Sequence, residues 1–195
     1  MKISLIIPAY NEEKYIGACL KSVEKYGQGL FEVIVVNNAS TDRTKDIIQQ
    51  FSFVKIVDEP RKGLSYARDK GLSEANGELV AYVDADCRLS PDWLNIISKE
   101  FNENQKIVAL SGPVQYYDLS FLQNFFTKIL VWIFMPLTYR IVGHTLLGGN
   151  FIVKKEIILK IGGFNQNLLF YGDDADLARR VASLGKVKFR MDLFV

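Results

Sequence analysis

"KISLIIPAYNEEKYIGACLKSVEKYG", residues 2–27, decides the fold class. In "KISLIIP" β-branched residues dominate and Pro8 ends the ladder, which is how a buried strand reads. Tyr15, Ile16, Cys19, Leu20 and Val23 then recur at the spacing of one helix face, with Gly27 as a stop. A buried strand, a polar loop and an amphipathic helix in that order form the unit from which layered α/β sheets are built.

The pattern continues in both halves of the chain. "FEVIVVNN" (31–38) is a second continuous apolar strand, and "STDRTKDIIQQF" (40–51) a helix capped by Ser40, Thr41 or Asp42. A short strand at Phe53–Val57 leads to "KGLSYARDKGLSEANG" (62–77), predicted helical until Gly77. "ELVAYVDAD" (78–86) is a fourth strand, and "SPDWLNIISKEF" (90–101) a helix with Ser90 as cap and Pro91 at its first position. "KIVALSGPVQYY" (106–117) suggests another strand, and "LLGGNFIVKKEIILKIGGF" (146–164) a strand followed by a helix closing at Gly162. "DDADLARRVASLGK" (173–186) is a helix ended by Gly185, and "VKFR" (187–190) a last short strand. Strands that are apolar on both faces and alternate with helices predict a mostly parallel, Rossmann-like sheet flanked by helices on both faces.

The chain has 195 residues, enough for one well-buried domain, and is 49% hydrophobic and 24% charged, as globular proteins are. A formal charge of +2 is too near zero to favour nucleic acid, so no nucleic-acid partner is expected. Cys19 and Cys87 are far apart, in no metal-like spacing, and are expected to be reduced thiols. Met1–Ile7 runs straight into a strand, with no signal-peptide pattern. In the most apolar stretch, Phe121–Val142, Lys128 and Arg140 bound an uncharged run of eleven residues. That is well short of the ~20 needed to span a bilayer.

Ligands of open α/β sheets bind beyond the carboxyl ends of the strands. Four polar loops fall there: "PAYNEE" (8–13), "NNASTD" (37–42), "EPRKG" (59–63) and "DADC" (84–87). Neither a G-x-G-x-x-G after the first strand nor a G-x-x-x-x-G-K-[ST] anywhere supports dinucleotide or P-loop binding. Pro8, Ala9, Tyr10 and Asn11 make a rigid turn that either offers an aromatic face to a nucleobase or carries a core tyrosine. Asn37 and Asn38 suit a base edge or a ribose, and suit a turn equally. Asp84 and Asp86 share a face if the strand continues, and could hold a Mg²⁺ or Mn²⁺ with positions left open for phosphate; a solvated turn is the alternative. Asp173, Asp174 and Asp176 open a helix, where carboxylates are favoured and Arg179 or Arg180 can pair with Asp176, or they supply a general base. His144 is the single histidine, which is more often structural than a ligand. Gly148 and Gly149 before Asn150 permit close backbone approach or make a turn.

The order of these blocks is more specific than any one of them. "SLIIPAYNEEKYI", "EVIVVNNASTDRT", "GLSYARDKGLSEANGELVAYVDADC", "GGNFIVKKEIILKIGGF" and "GDDADLARR" together resemble the family-2 glycosyltransferases, from about Lys2 to Lys188. The resemblance implies a single GT-A domain over 1–195, with a nucleotide-sugar-binding half at 1–118 and an acceptor-side half at 119–195. It implies an inverting, Mg²⁺- or Mn²⁺-dependent transfer from a nucleoside-diphosphate sugar, UDP ahead of GDP or dTDP, to a hydroxyl acceptor. By position, Pro8, Ala9, Tyr10 and Glu12 would surround the nucleoside, Asn37 would read the base, and Arg68 would lie near base or phosphate. Asp84, Ala85 and Asp86 match the D-x-D, with Asp86 the direct metal ligand and Asp84 nearer the ribose or metal-bound water. Gly149 and Asn150 match a further donor-side block. Asp173 and Asp174 match the usual Glu-Asp pair, which makes Asp174 the base.

Three departures stand out. The common Asp-Asp-Gly-Ser block is Asn37-Asn38-Ala39-Ser40 here, Asp69 replaces a frequent Asn, and the chain stops at Val195 where many relatives continue. The expectation is a truncated or minimal enzyme. Phe121–Val142 falls where such enzymes shape the acceptor side, and is read either as an amphipathic surface for a membrane or lipid-linked acceptor or as a segment buried on the sheet. The expected location is cytoplasmic, peripheral on the cytoplasmic face of a membrane, in cell-envelope glycan synthesis. The alternative function is a catalytically silent relative that binds nucleotide sugar as a partner subunit. A phosphorylated receiver domain would want an acidic pair after the first strand, and a nucleotidylyltransferase a Gly-rich first loop; both are missing.

Overall fold

In the computed structural model, which describes residues 1–115, 137, 139, 141–168 and 172–195, strand β1 (Ile3–Ala9) is buried along its whole length. Leu5, Ile7 and Ala9 enter one core cluster and Ile6 the other, as a two-residue period requires. β1 lies between β2 (Glu32–Asn37) and β4 (Leu79–Val83), and β2 pairs outward with β3 (Val54–Asp58), all in parallel. On the other side of β4, β6 (Asn150–Lys154) runs antiparallel and pairs with β5 (Ile107–Ser111), which pairs in parallel with β7 (Lys186–Phe189). The seven described strands thus follow the order β3-β2-β1-β4-β6-β5-β7. Strands from before and after residue 118 share this one sheet.

Helices cover both faces. α1 (Ile16–Tyr26), α2 (Thr44–Ile48) and α4 (Trp93–Glu103) bury Ile16, Leu20, Ile48, Trp93 and Ile97 in one cluster. α3 (Leu64–Glu74), α5 (Lys155–Lys160) and α6 (Asp173–Ala182) bury Ala67, Leu72, Ile158, Leu177 and Val181 in the other. Each large apolar side chain so buried stabilises the fold by about 1.5–3 kcal/mol before conformational entropy is subtracted. α3 lies so close to β1 that a Cβ on Gly71 would sit 2.3 Å from Ile6 Cγ2. Only glycine allows that approach.

Several boundaries differ from the sequence reading. β4 stops at Val83, because the Cys87 amide closes a turn onto the Asp84 carbonyl at 3.0 Å. Asp84 and Asp86 therefore sit in a turn, and strand alternation does not govern where they point. α3 ends at Glu74 rather than Gly77, since Gly77 donates to Ser4 Oγ at 2.8 Å and ties this connection to β1. α4 begins at Trp93 without a side-chain cap; Ser90 contributes its carbonyl, which accepts the Trp93 amide at 3.2 Å. α2 is only five residues long, and Asp42 Oδ1 accepts the Thr44 amide at its start at 2.9 Å.

Most of Phe121–Val142 lies outside the described residues. At its end Leu137, Ile141 and Val142 are exposed, while Tyr139 donates its hydroxyl to the Val187 carbonyl at 2.8 Å. Among the described residues no helix is long and apolar enough to cross a membrane.

Candidate active site

A cleft of about 330 Å³ opens at the carboxyl ends of β1 and β4. The end of β1 supplies Pro8 and Ala9 to its wall, the loop after it Tyr10 and Glu12, and the β4 turn Asp84, Ala85 and Asp86. These seven residues, named separately from the sequence, come together in one place.

The opposite wall is formed by Asn38, Lys62, Gly63, Leu64 and Ala67, from the ends of β2 and β3 and the first turn of α3. Of these five only Asn38 was given a candidate ligand role from sequence; Lys62, Gly63, Leu64 and Ala67 were not, although "EPRKG" fell among the strand-end loops. A single Lys-Gly step has no pattern that marks it as a ligand contact. Lys62 holds its ammonium 4.4 Å from the centre of the Tyr10 ring, over the exposed aromatic face. Asn38 anchors this wall: its amide donates to the Glu59 and Arg61 carbonyls at 3.1 and 2.6 Å, and its oxygen accepts the Gly63 amide at 2.9 Å.

Asn37 stands beside that wall, level with Ala9 on β1 and Asp58 on β3. Its Nδ2 donates to Asp58 Oδ1 at 2.8 Å, and its buried Oδ1 has no partner among the described residues. Asp58 in turn pairs with Lys45 at 2.6 Å, which with the Asn37 bond holds its carboxyl below the usual range.

The cleft is electrostatically strained. Burial first, and then Asp86 and Asp84, push Glu12 up to about 7. Burial also raises Asp84; the Arg68 guanidinium opposes the shift and Asp86 adds to it. Hard carboxylate oxygens crowded this way are a donor set for Mg²⁺ or Mn²⁺. Among the described residues no group of three or more acidic, histidine or cysteine side chains could hold a metal ion. Two carboxylates with substrate phosphates completing the shell is the usual arrangement for such hard ions, so the residues fit.

Cys87 Sγ lies 3.6 Å from Asp86 Oδ1, and Cys19 Sγ 3.9 Å from the Asp84 carbonyl. Both thiols are free and buried, and burial raises both, Cys19 to about 12. They pack under the turn as inert apolar groups.

Two residues given donor-side roles from sequence, Arg68 and Asn150, are not among those lining the cleft. Arg68 is fully buried behind the cleft, where its guanidinium meets Asp84, Asp173 and the Gly148 carbonyl. Asn150 is also fully buried: Trp93 Nε1 donates to its Oδ1 at 3.0 Å, and its Nδ2 donates to the Leu193 carbonyl at 2.6 Å. Its side chain is spent on joining α4 to the C-terminal segment, so it is not part of the cleft wall. Asp69 accepts the Phe164 amide at 2.9 Å and Gln166 Nε2 at 3.1 Å, which makes it a loop anchor.

The acidic helix start comes close to the Asp84–Cys87 turn. Asp174 Oδ2 accepts the Gly148 amide at 3.1 Å, and a Cβ on neighbouring Gly149 would lie 3.2 Å from Asp84 Oδ2. A side chain at Gly149 would crowd Val114, Asp84 and Cys87, which would have to give by a few tenths of an ångström. This dipeptide thus meets Asp174 at one end and, at the other, accepts the Asp84 amide on the Gly149 carbonyl at 3.4 Å. Asp173 is buried against Arg68, whereas Asp174 is only half-buried. Asp176 makes the helix-internal ion pairs anticipated for it, to Arg180 at 2.7 Å and Arg179 at 3.2 Å.

Residues 4–162 match the model of the glycosyl transferase family 2 domain. The chain belongs to this family. The family-2 chain is 31% identical over 200 residues to the probable glycosyltransferase YdaM of Bacillus subtilis, a match covering 94% of this chain and 47% of YdaM. Its fold superposes on the mannosyltransferase PcManGT of Pyrobaculum calidifontis, solved with GDP-Man and Mn²⁺, with a TM-score of 0.76 at 23% identity. That match covers 99% of this chain and 55% of the other. Residues 1–349 of TarS from S. aureus, solved with UDP, give a TM-score of 0.75 at 22% identity, covering 98% of this chain and 58% of that one. This family-2 chain therefore spans about half the length of the proteins it resembles, and it shares the GT-A architecture with those solved structures.

Proposed function

We propose that the chain transfers a sugar from a nucleoside-diphosphate sugar to a hydroxyl acceptor with inversion at the anomeric carbon. The observation that carries this reading is the Gly148–Gly149 dipeptide, which brings Asp174 and Asp84 to its two ends. A leaving-group site and a base are thereby held side by side, though ninety residues separate them in sequence.

The donor's nucleoside enters between the Pro8–Tyr10 loop and the Asn38–Lys62 wall, with its base on the Tyr10 face and its imide edge toward Asn37. The Oδ1 of Asn37, without a partner among the described residues, suits an N–H donor such as N3–H of uracil; thymine and guanine offer the same kind of donor, so the expectation of UDP rests on the family resemblance. A divalent cation held by Asp86 and Asp84 with the donor phosphates would stabilise the charge left on the diphosphate. Asp174 takes the proton from the acceptor hydroxyl as that oxygen bonds to the anomeric carbon. The bond from this carbon to the β-phosphate oxygen breaks on the opposite face, and its electron pair leaves with the diphosphate. Entry opposite the leaving group inverts the configuration, and no covalent enzyme intermediate is needed.

The exposed Leu137, Ile141 and Val142 favour an acceptor presented at an apolar surface, as a lipid-linked glycan would be. Flotation with anionic liposomes tests this: recovery of all the protein in the unbound fraction would remove the lipid arm of the reading.

A thermal-shift panel of UDP, GDP and dTDP with and without Mn²⁺ tests the donor site. A rise in Tm with UDP that depends on Mn²⁺ is expected; no response to any nucleotide would sink the reading.

A further inference from the structure

Arg68 is a fully buried cation. A fully buried guanidinium is costly to desolvate, and well-packed apolar residues often replace buried ion pairs without loss of stability. Its NH1 donates to Asp173 Oδ2, while NH2 donates to the Gly148 carbonyl at 2.6 Å and to Asp84 Oδ1 at 3.3 Å. Those partners lie on three separate segments: the Asp84–Cys87 turn, the glycine loop and the acidic helix. Phe151 lies against the guanidinium at 5.3 Å.

Arg68 does not act alone. Ser65, one turn earlier on α3, donates its hydroxyl to the Leu168 carbonyl, and Asp69 accepts the amides of Phe164 and Gln166. Positions 65, 68 and 69 share one helix face. Through that face α3 binds the loop that leads to the acidic helix, while Leu64 and Ala67 on the same helix line the donor cleft. Gly148 extends the chain of contacts: its carbonyl is held by Arg68, and its amide donates to Asp174.

We infer that Arg68, supported by Ser65 and Asp69, is the positioning residue that sets the carboxylate base against the donor site, acting on Asp173 directly and on Asp174 through the Gly148 peptide. This rests on the sugar-transfer reading above, and departs from the sequence assignment of Arg68 to the nucleotide. A reacting geometry that drifts by about 1 Å can lose about a hundredfold in rate, so a rigid tie across three segments has a kinetic use beyond stability. Lysine cannot replace it, because one ammonium lacks the planar fork that reaches three acceptors in fixed directions.

The test uses Arg68→Lys, Ser65→Ala and Asp69→Ala, with three readouts. The first is hydrogen exchange of the Gly148 and Phe164 amides in protein without metal or nucleotide. The second is UDP affinity with Mn²⁺ by calorimetry. The third is UDP release from UDP-hexoses, with water as acceptor where none is added. Arg68→Lys should expose the Gly148 amide to exchange, shift UDP affinity by less than about threefold, and lower kcat by about a hundredfold. Asp69→Ala should free the Phe164 amide, and it and Ser65→Ala should each lower kcat by about three- to tenfold with UDP affinity kept. Unchanged kcat in Arg68→Lys, or a loss of UDP affinity that matches the loss of kcat, overturns the inference. If Arg68→Lys does not fold, the Ser65 and Asp69 variants decide: wild-type kcat in both overturns it. Should the native protein bind no nucleotide at all, the donor reading fails separately, while the exchange data still report whether the tie exists.

Discussion

Asn37 donates its side-chain Nδ2 to Asp58 across the β2–β3 pair at 2.8 Å, and its side-chain Oδ1 is buried without a partner among the described residues. An unsatisfied buried acceptor costs about 1–3 kcal/mol, so the arrangement is explained if a ligand N–H completes it. Replacing Asn37 by aspartate would place a second carboxylate against Asp58, with no proton between them at neutral pH. Asn37→Asp is expected to lose about 1–3 kcal/mol of stability at pH 7 and to regain part of it in acid, as one carboxyl takes up a proton. Urea titrations at pH 7 and pH 4.5 check this. Equal stability to the native protein at both would show that Asp58 does not need the amide.

Asp174→Asn tests the base separately from the donor site. The amide keeps the size of the side chain and can still accept from Gly148, so UDP binding with Mn²⁺ should be retained. Loss of the proton acceptor should lower transfer by about 10²–10⁴-fold. Native turnover in this variant would move the base elsewhere.

The main part of the fold was legible because it rests on local patterns. Apolar runs such as "LIIPA" and "VIVV" mark strands whichever way they run, and a helix face repeats within one segment. The direction of β6 was not legible, since it depends on how the chain returns between β4 and β5. Asp84 and Asp86 alone read equally as a solvated turn; they gained weight from the other polar loops at strand ends and from the acidic helix start ninety residues on. Arg68 and Asn150 did not reveal their roles, because their partners lie 16 to 105 and 43 to 57 residues away. A buried polar side chain and a ligand-facing one look the same in sequence until those partners are placed.

Asn150→Ala separates these two roles. The substitution leaves Trp93 Nε1 and the Leu193 carbonyl without partners in the core. Stability should fall by about 2–4 kcal/mol, combining lost hydrogen bonds with the small cavity. UDP affinity of the folded fraction should stay within about twofold of native. A selective loss of UDP binding with native stability would return Asn150 to the donor site.

Among the described residues lining the cleft, Lys62 carries the only positive side chain, alongside Glu12, Asp84 and Asp86. Its ammonium rests on the Tyr10 ring, where a base would stack, and is free to turn toward a diphosphate as the base arrives. Lys62→Met should weaken UDP by about three- to tenfold and leave the affinity for uridine, which has no phosphate, unchanged. Calorimetry with both ligands distinguishes a phosphate contact from a stacking one. An equal loss for both would place Lys62 on the base alone.

The pH dependence of stability follows from Glu12, whose carboxyl is pushed from 4.5 up to about 7 by burial and by Asp86 and Asp84. A group with a raised folded pKa binds its proton more tightly in the native state than in the unfolded one. Native stability should therefore fall as pH rises from about 4.5 to about 7, and level off above that window. Asp84, shifted the same way, adds to the slope. Carboxyls held low, such as Asp58 and Glu59, act with the opposite sign, and their stabilisation is lost as pH falls below the ordinary carboxylate range. In chelator-treated protein, Tm measured across pH 5–7.5 should decline, and Glu12→Gln should flatten most of that decline while raising Tm at pH 7.5. Adding Mn²⁺ with UDP should flatten it too, because positive charge beside Asp84 and Asp86 offsets the repulsion they exert on Glu12. A native profile already flat in chelator would mean that the three carboxylates do not share one poorly solvated cleft.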